Sequence, residues 1–148
     1  MCDYSQRFRQ FRPAEPGDRL IAAGRVLSST TTYDMLVARY DANGQLDSSF
    51  GGSGFVDSGL AGDDQAYGVA RQSDGKFVVA GMLGLTTTEG VVLLRLHGNG
   101  TADTTFGING VSEIAPRSVI GAGFPHVEQD PAGRLVANCT SGLARFLY

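Results

Sequence analysis

One stretch of the chain occurs twice. Met35 to Gly51, Met-Leu-Val-Ala-Arg-Tyr-Asp-Ala-Asn-Gly-Gln-Leu-Asp-Ser-Ser-Phe-Gly, returns as Val91 to Gly107 at an offset of 56 residues. In both copies an apolar run passes through Arg into an Asn-Gly turn, then into Asp, two hydroxyl residues, Phe and Gly. Self-similarity at a fixed period is the mark of stacked repeat architectures, whose units bury their apolar faces only against one another.

The rest of the unit can be aligned around this stretch. Arg19 to Val26 contains Leu-Ile-Ala-Ala-Gly, a short apolar strand that returns as Phe77 to Gly81, with a third version at Leu135 to Asn138. A polar loop follows, Thr30 to Thr32 and then Thr86 to Thr88. The second strand, Met35 to Tyr40 and Val91 to Leu96, is apolar without alternation, which predicts burial on both faces. Asn43-Gly44 and Asn99-Gly100 then predict reversals of the two-residue type I′ kind, which needs positive φ at both central residues. Asp47 and Asp103 are expected to accept hydrogen bonds from backbone N–H groups just ahead, turning Phe50 and Phe106 inward. A third strand, Gly54 to Asp57, matches Gly110 to Glu113, and a fourth, Ala66 to Ala70, has a weaker relative at Phe124 to Glu128. Ser73 to Lys76 and Pro131 to Arg134 turn into the next unit, and Leu143 to Phe146 resembles Val37 to Tyr40.

Composition agrees with a chain of short strands and turns. Gly is 21 of 148 residues, and eleven Asp outnumber four Glu. Asp favours turns, whereas Glu favours helices. Residues 1–17 show neither strand nor helix period and carry Pro13 and Pro16, so they read as an irregular N-terminal lead-in. Repeat unit 1 then spans 18–73, unit 2 spans 74–131, and a partial unit 3 spans 132–148.

Four short strands per unit with a turn at every junction predict an all-β fold of β-propeller-type blades, each of four antiparallel strands, in an incomplete array of about two and a half repeats. Leu36 to Gly51, together with Gln72-Ser-Asp-Gly-Lys-Phe-Val-Val-Ala-Gly81, resembles the delta-60 repeat found in tandem in large bacterial proteins. The resemblance covers residues 18–148. It is closest in the first unit and degrades after Gly107, where Asn138-Cys139 stands in place of Ala-Gly and Pro125-His126 interrupts the fourth strand. It implies propeller blades, often in secreted or surface proteins of unassigned function.

Several function classes find little support. The net charge of −3 argues against a broad phosphate-binding face, and Arg7, Arg9 and Arg12 around Phe8 and Phe11 read as a solvated end rather than a nucleic-acid arm. No apolar run reaches the ~20 residues of a membrane helix, and the N-terminus lacks the apolar core of a signal peptide, so a soluble, unexported chain is expected. Cys2 and Cys139 lack metal or redox spacing and are read as free thiols. Asn138-Cys139-Thr140 matches a glycosylation sequon and is read as chance. The single lysine, Lys76, sits in a turn rather than a nucleotide-binding loop.

Candidate chemistry is thin. Asp41, Asn43 and Asp47 alternate around a Gly as in a calcium loop, but the spacing falls short and His97 replaces Asp41 in the second copy. Asp63-Asp64 is the adjacent carboxylate pair, read as a solvated loop, and His97 and His126 have no nucleophile beside them. Arg39, Arg95 and Arg145 share one repeat position. They are expected to pair with the repeated Asp or with carbonyls of the adjacent blade rather than to form a ring for carboxylates or sulfated glycans.

The expectation is therefore a non-catalytic structural or interaction module, with no catalytic, cofactor or metal residues assigned, as part of a larger propeller. Closed propellers need about four to eight blades. Further repeat units, or self-association through exposed blade edges, are the expected partners. The rival is a glycan-binding or hydrolytic propeller with Asp63, Asp64 and the repeated Arg on converging loops.

Overall fold

The computed structural model describes residues 6–15, 19–29, 31–84, 90–114, 125–139 and 142–146, all as strands and connecting turns. The strands are β1 (Gln6–Glu15), β2 (Arg19–Leu27), β3 (Tyr33–Tyr40), β4 (Phe55–Asp57), β5 (Gln65–Arg71), β6 (Phe77–Leu83), β7 (Gly90–Leu96), β8 (Val111–Ile114), β9 (His126–Gln129), β10 (Leu135–Cys139) and β11 (Gly142–Phe146). They form three antiparallel meanders. β1-β2-β3-β4 and β5-β6-β7-β8 are four-stranded, and β9-β10-β11 is three-stranded. The all-β, blade-like architecture expected from the period is the observed one.

The repeat reaches down to the ladder. Ala23, Val37 and Val56 face one another across β2, β3 and β4. Their counterparts Ala80, Leu93 and Ser112 do so across β6, β7 and β8.

The second sheet is buried on both faces, as the unalternated apolar runs required. One face of β6 and β7, with Phe77, Val79, Val92, Leu94 and Leu96, shares a core with Ile21, Ala23, Met35, Val37 and Phe50 of the first sheet. The other face, with Val78, Ala80 and Leu93, shares a core with Val127, Leu135 and Ala137 of the third. Each fully buried Val, Leu or Phe is worth about 1.5–3 kcal/mol of transfer free energy, so these two shared cores hold the sheets together.

Two expectations about strand order are corrected. The stretch 1–17, expected to be an irregular lead-in, contains β1, which pairs with β2 from Gln6↔Val26 to Glu15↔Arg19. β1 is an edge strand, and Pro13 adjoins a register shift between Pro13 and Glu15, the setting in which a strand tolerates a proline. Second, Ala66 to Ala70, read as the closing strand of unit 1, lies in β5 and hydrogen-bonds to β6, so it opens the second sheet. β9 likewise opens the third sheet. A period shows that a unit recurs and does not show where its hydrogen bonding begins.

The turns are also corrected. Gly44 has φ +77°, but Asn43 is not among the residues of positive φ, so no type I′ turn forms. Instead the Gly44 N–H donates to Asp41 O at 3.0 Å and the Asp41 N–H to Gln45 O at 2.8 Å. This is a type I turn closed by a left-handed glycine, the three-residue hairpin solution. The same pair of bonds closes Gln72–Lys76, His97–Thr101 and Asp130–Arg134 around Gly75, Gly100 and Gly133. The polar loop Thr86 to Thr88 lies outside the described residues.

Two of these glycines differ in their surroundings. A Cβ on Gly44 would meet nothing within 4 Å, whereas one on Gly100 would stand 2.7 Å from Gly51 N and 3.2 Å from the Phe50 ring, in the neighbouring sheet. Gly44→Ala is therefore expected to cost about 1 kcal/mol, through backbone conformation alone. Gly100→Ala should cost about 2–4 kcal/mol, because it also wedges the sheets apart. Urea midpoints of the two variants measure the difference, and equal midpoints would remove the 97–101 turn from the joint between sheets.

Candidate functional site

The repeated polar residues converge at the end of β3 and again at the end of β7. Leaving β3, the chain makes the Asp41–Gln45 turn and comes back alongside it. The Asp47 N–H donates to Arg39 O, and the Arg39 N–H to Gly54 O, each at 2.9 Å. This brings Asp47 beside the Arg39 side chain. Arg39 Nε lies 3.0 Å from Asp47 Oδ2, Nη2 donates to Ser49 Oγ at 2.9 Å, and the guanidinium stands 5.0 Å over the Phe50 ring. Arg39 Nη1 donates to the carbonyl of Gly98, in the second sheet. Beside it the Gly51 N–H donates to Asn99 O at 2.8 Å.

The second copy repeats the constellation. Arg95 Nε lies 2.8 Å from Asp103 Oδ2, Nη2 donates to Thr105 Oγ1 at 3.3 Å, and the guanidinium is 4.5 Å from the Phe106 ring. Arg39 is 3% exposed and Arg95 8%, so both are buried groups of the fold. The arginine thus pairs with the repeated Asp, and in the first copy with carbonyl oxygen of the adjacent sheet, as its position predicted. The side chain of Arg145 lies outside the described residues.

Asp47 and Asp103 behave as the sequence suggested. Asp47 Oδ1 accepts the Ser49 N–H at 3.1 Å and the Ser49 hydroxyl at 2.6 Å. Asp103 Oδ1 accepts the Thr105 N–H at 3.1 Å and its hydroxyl at 2.6 Å. Phe50 and Phe106 are fully buried behind them. These hydrogen bonds, the hydroxyl first, hold both carboxyls below the usual Asp range, and the cations add to the effect.

Sequence reasoning missed the second cation on each carboxylate. Arg19 Nε is 3.3 Å from Asp47 Oδ2, and Lys76 Nζ is 3.1 Å from Asp103 Oδ2. Arg19 and Lys76 lie 57 residues apart, the offset that relates Gly24 to Gly81, so a basic residue recurring just before the apolar strand was the available signal. In the third sheet Arg134 follows at the corresponding turn and pairs with Asp130 at 2.6 Å.

The other candidates fall into local roles. Asp41 Oδ1 accepts the N–H groups of Asn43 and Gln45, both at 2.9 Å, so it organises its turn rather than a calcium loop. Asn99 Oδ1 accepts the Thr101 N–H in the second copy. His97 Nε2 stands 3.9 Å from Asp103 Oδ1, and His126 Nε2 lies 3.1 Å from Glu128 Oε1. Among the described residues no three acidic, His or Cys side chains are placed to share a metal ion. The side chains of Arg7, Arg9, Arg12, Phe11 and Cys139, and the residues Cys2 and Thr140, lie outside the description.

Asp63-Asp64 is a correction. Expected in a solvated loop, Asp64 is 0% exposed, because it leads directly into β5, which packs against the strands of the first sheet. Asp63 Oδ1 accepts the Tyr33 N–H at 3.0 Å.

Two segments, residues 18–50 and 72–106, match the model of a family described as a domain of unknown function (DUF5122) beta-propeller. Each segment contains one full constellation, from Arg19 or Lys76 to Phe50 or Phe106. No curated protein matches the chain.

Arg39→Lys keeps the charge but loses the planar fork that serves Asp47, Ser49 and Gly98 at once. It is expected to lower stability by about 1–3 kcal/mol, read as a shift in urea midpoint. The depressed carboxyls contribute stability that is present above about pH 4, the unfolded Asp value, and is lost as pH falls toward their folded values. Asp103→Asn should therefore flatten the acid limb of the stability curve below pH 4, and an unchanged acid limb would refute the role.

Proposed function

We propose that the chain is a non-catalytic structural or interaction module of delta-60-like propeller blades, which joins further repeat units or copies of itself through its blade edges as part of a larger propeller. The observation that carries this reading is how the first two sheets are joined. The His97–Thr101 turn of one sheet seats its backbone carbonyls on Arg39 and Gly51 of the other. Asp41–Gln45 is the same turn with the same internal bonds, and its residues Ala42, Asn43 and Gly44 are exposed. It can offer the same carbonyls to the Arg and Gly of another blade. The repeated polar residues meanwhile serve turns and the joint, whereas a catalytic site requires unlike groups converging on a reacting atom.

An open cleft favours the second reading, a glycan-binding or hydrolytic propeller. It is lined by Ser58, Leu60, Ile108, Asn109, Ser112 and Glu113, with Ile108 81% exposed. Among the described residues its lining holds one carboxylate, Glu113, whereas glycoside hydrolysis commonly uses two.

Light scattering after size-exclusion chromatography, across a range of loading concentrations, tests the assembly reading. The expected result is a mass that rises above that of the 15.6 kDa chain and settles at a discrete multiple. A compact monomer at every concentration would refute it.

A further inference from the structure

Asp64 is the one fully buried side chain among the described residues with two unpartnered polar atoms: neither carboxylate oxygen has a hydrogen-bond donor. A buried carboxylate without donors or cations is among the more costly groups a fold can hold, and it is relieved by a metal, by an ion pair or by a proton. The charged groups around it argue for the proton. Asp63 adjoins it, Asp34 lies on β3 and Glu113 on β8, and the negative charge of each acts to raise its pKa. Arg25 of β2 places its guanidinium 4.0 Å over the Tyr33 ring and leaves its own Nε without a hydrogen-bond partner. Among the described residues Asp64 and the carboxylates around it form no group of three that could hold a metal ion.

The residue sits where the first two sheets are tied together. The Asp64 N–H donates to Tyr33 O at 2.6 Å, and the Tyr33 N–H donates back to Asp63 Oδ1. On the other side the Gly84 N–H donates to Asp63 O at 3.1 Å. Asp63 and Asp64 therefore link the start of β3 in one sheet to the end of β6 in the next, and any charge on Asp64 is placed within that link.

We propose that Asp64 is a protonation switch for the joint between the first two sheets: with its carboxyl neutral the joint is closed, and ionisation loosens it. Burial first, and then Asp34, Asp63 and Glu113, push the Asp64 carboxyl up to about 6. The unfolded value is the ordinary 3.8. Because the folded value is raised, the stabilising contribution is complete below the unfolded value and is lost as pH rises through the folded one. The window is thus pH 4 to 6, above the range in which the depressed carboxyls of Asp47 and Asp103 protonate.

The test compares the intact chain with Asp64→Asn, which keeps the shape and removes the charge. Between pH 4 and pH 7 the folding constant of the unsubstituted chain should fall on the order of a hundredfold more than that of the variant. Amide protection at Asp64 and Gly84 should drop above pH 6 in the unsubstituted chain alone, while Val92, in the middle of β7, keeps its protection. Identical pH profiles would overturn the proposal, as would a calcium-dependent rise in melting temperature at pH 7.5 that Asp64→Asn abolishes, which would put a metal in place of the proton. Should the variant fail to fold, a carboxyl-carbon NMR titration of the unsubstituted chain decides: Asp64 titrating near 6 supports the switch, and titration near 4 sinks it.

Discussion

A buried guanidinium is the interaction on which the arrangement of the sheets depends. Arg39 divides its donors among Asp47 and Ser49 of its own returning loop and Gly98 of the next sheet. One side chain thereby fixes the path of the loop within a sheet and the seat of the neighbouring sheet upon it. A charge this deeply buried is tolerated only when its donors are paired, and a hydroxyl, a carboxylate and a main-chain carbonyl together accomplish this. The aromatic ring beneath the guanidinium, Phe50 or Phe106, fills the apolar space that the returning loop encloses.

The features of the fold that could be foreseen from the sequence follow from pattern and the misses follow from geometry. Burial of both faces of β7 was foreseeable because Val91 to Leu96 carries no polar alternation, and a strand placed between two cores needs none. The inward turn of Phe50 and the pairing of Arg39 were foreseeable because a residue recurring at one position of a repeat must do the same work twice. β1 could not be read, since Pro13 and its scattered arginines leave no period and its pairing with β2 is the tertiary fact that makes it a strand. The turn type was misjudged because Asn-Gly serves two hairpin geometries, and the position of the glycine relative to the end of the strand decides between them. Asp64 was misjudged because a pair of aspartates carries no sign of burial, which came from the strand that follows it.

The joint between the first two sheets has two ends of different chemical character. At one end are a neutralised arginine, an aspartate held ionised and a set of backbone bonds. At the other is a carboxyl pressed toward its neutral form by burial and by other acids. The shared apolar core between them is indifferent to pH. Acidification therefore acts on the two ends in opposite senses and over separate ranges, so a single stacked interface carries both an acid-sensitive seam and an acid-favoured one.

The partners of Arg39 and Gly51 across the joint are main-chain oxygens, those of Gly98 and Asn99. Recognition through the backbone ignores side-chain identity. The corresponding residues of the first turn are Ala42 and Asn43, and the turn closes with Gln45 in one copy and Thr101 in the other without altering its internal hydrogen bonds. Only the left-handed glycine is constrained. A turn of this kind can change its side chains and still present the same main-chain oxygens, so the seat between the first two sheets places no demand on side-chain identity at residues 98 and 99.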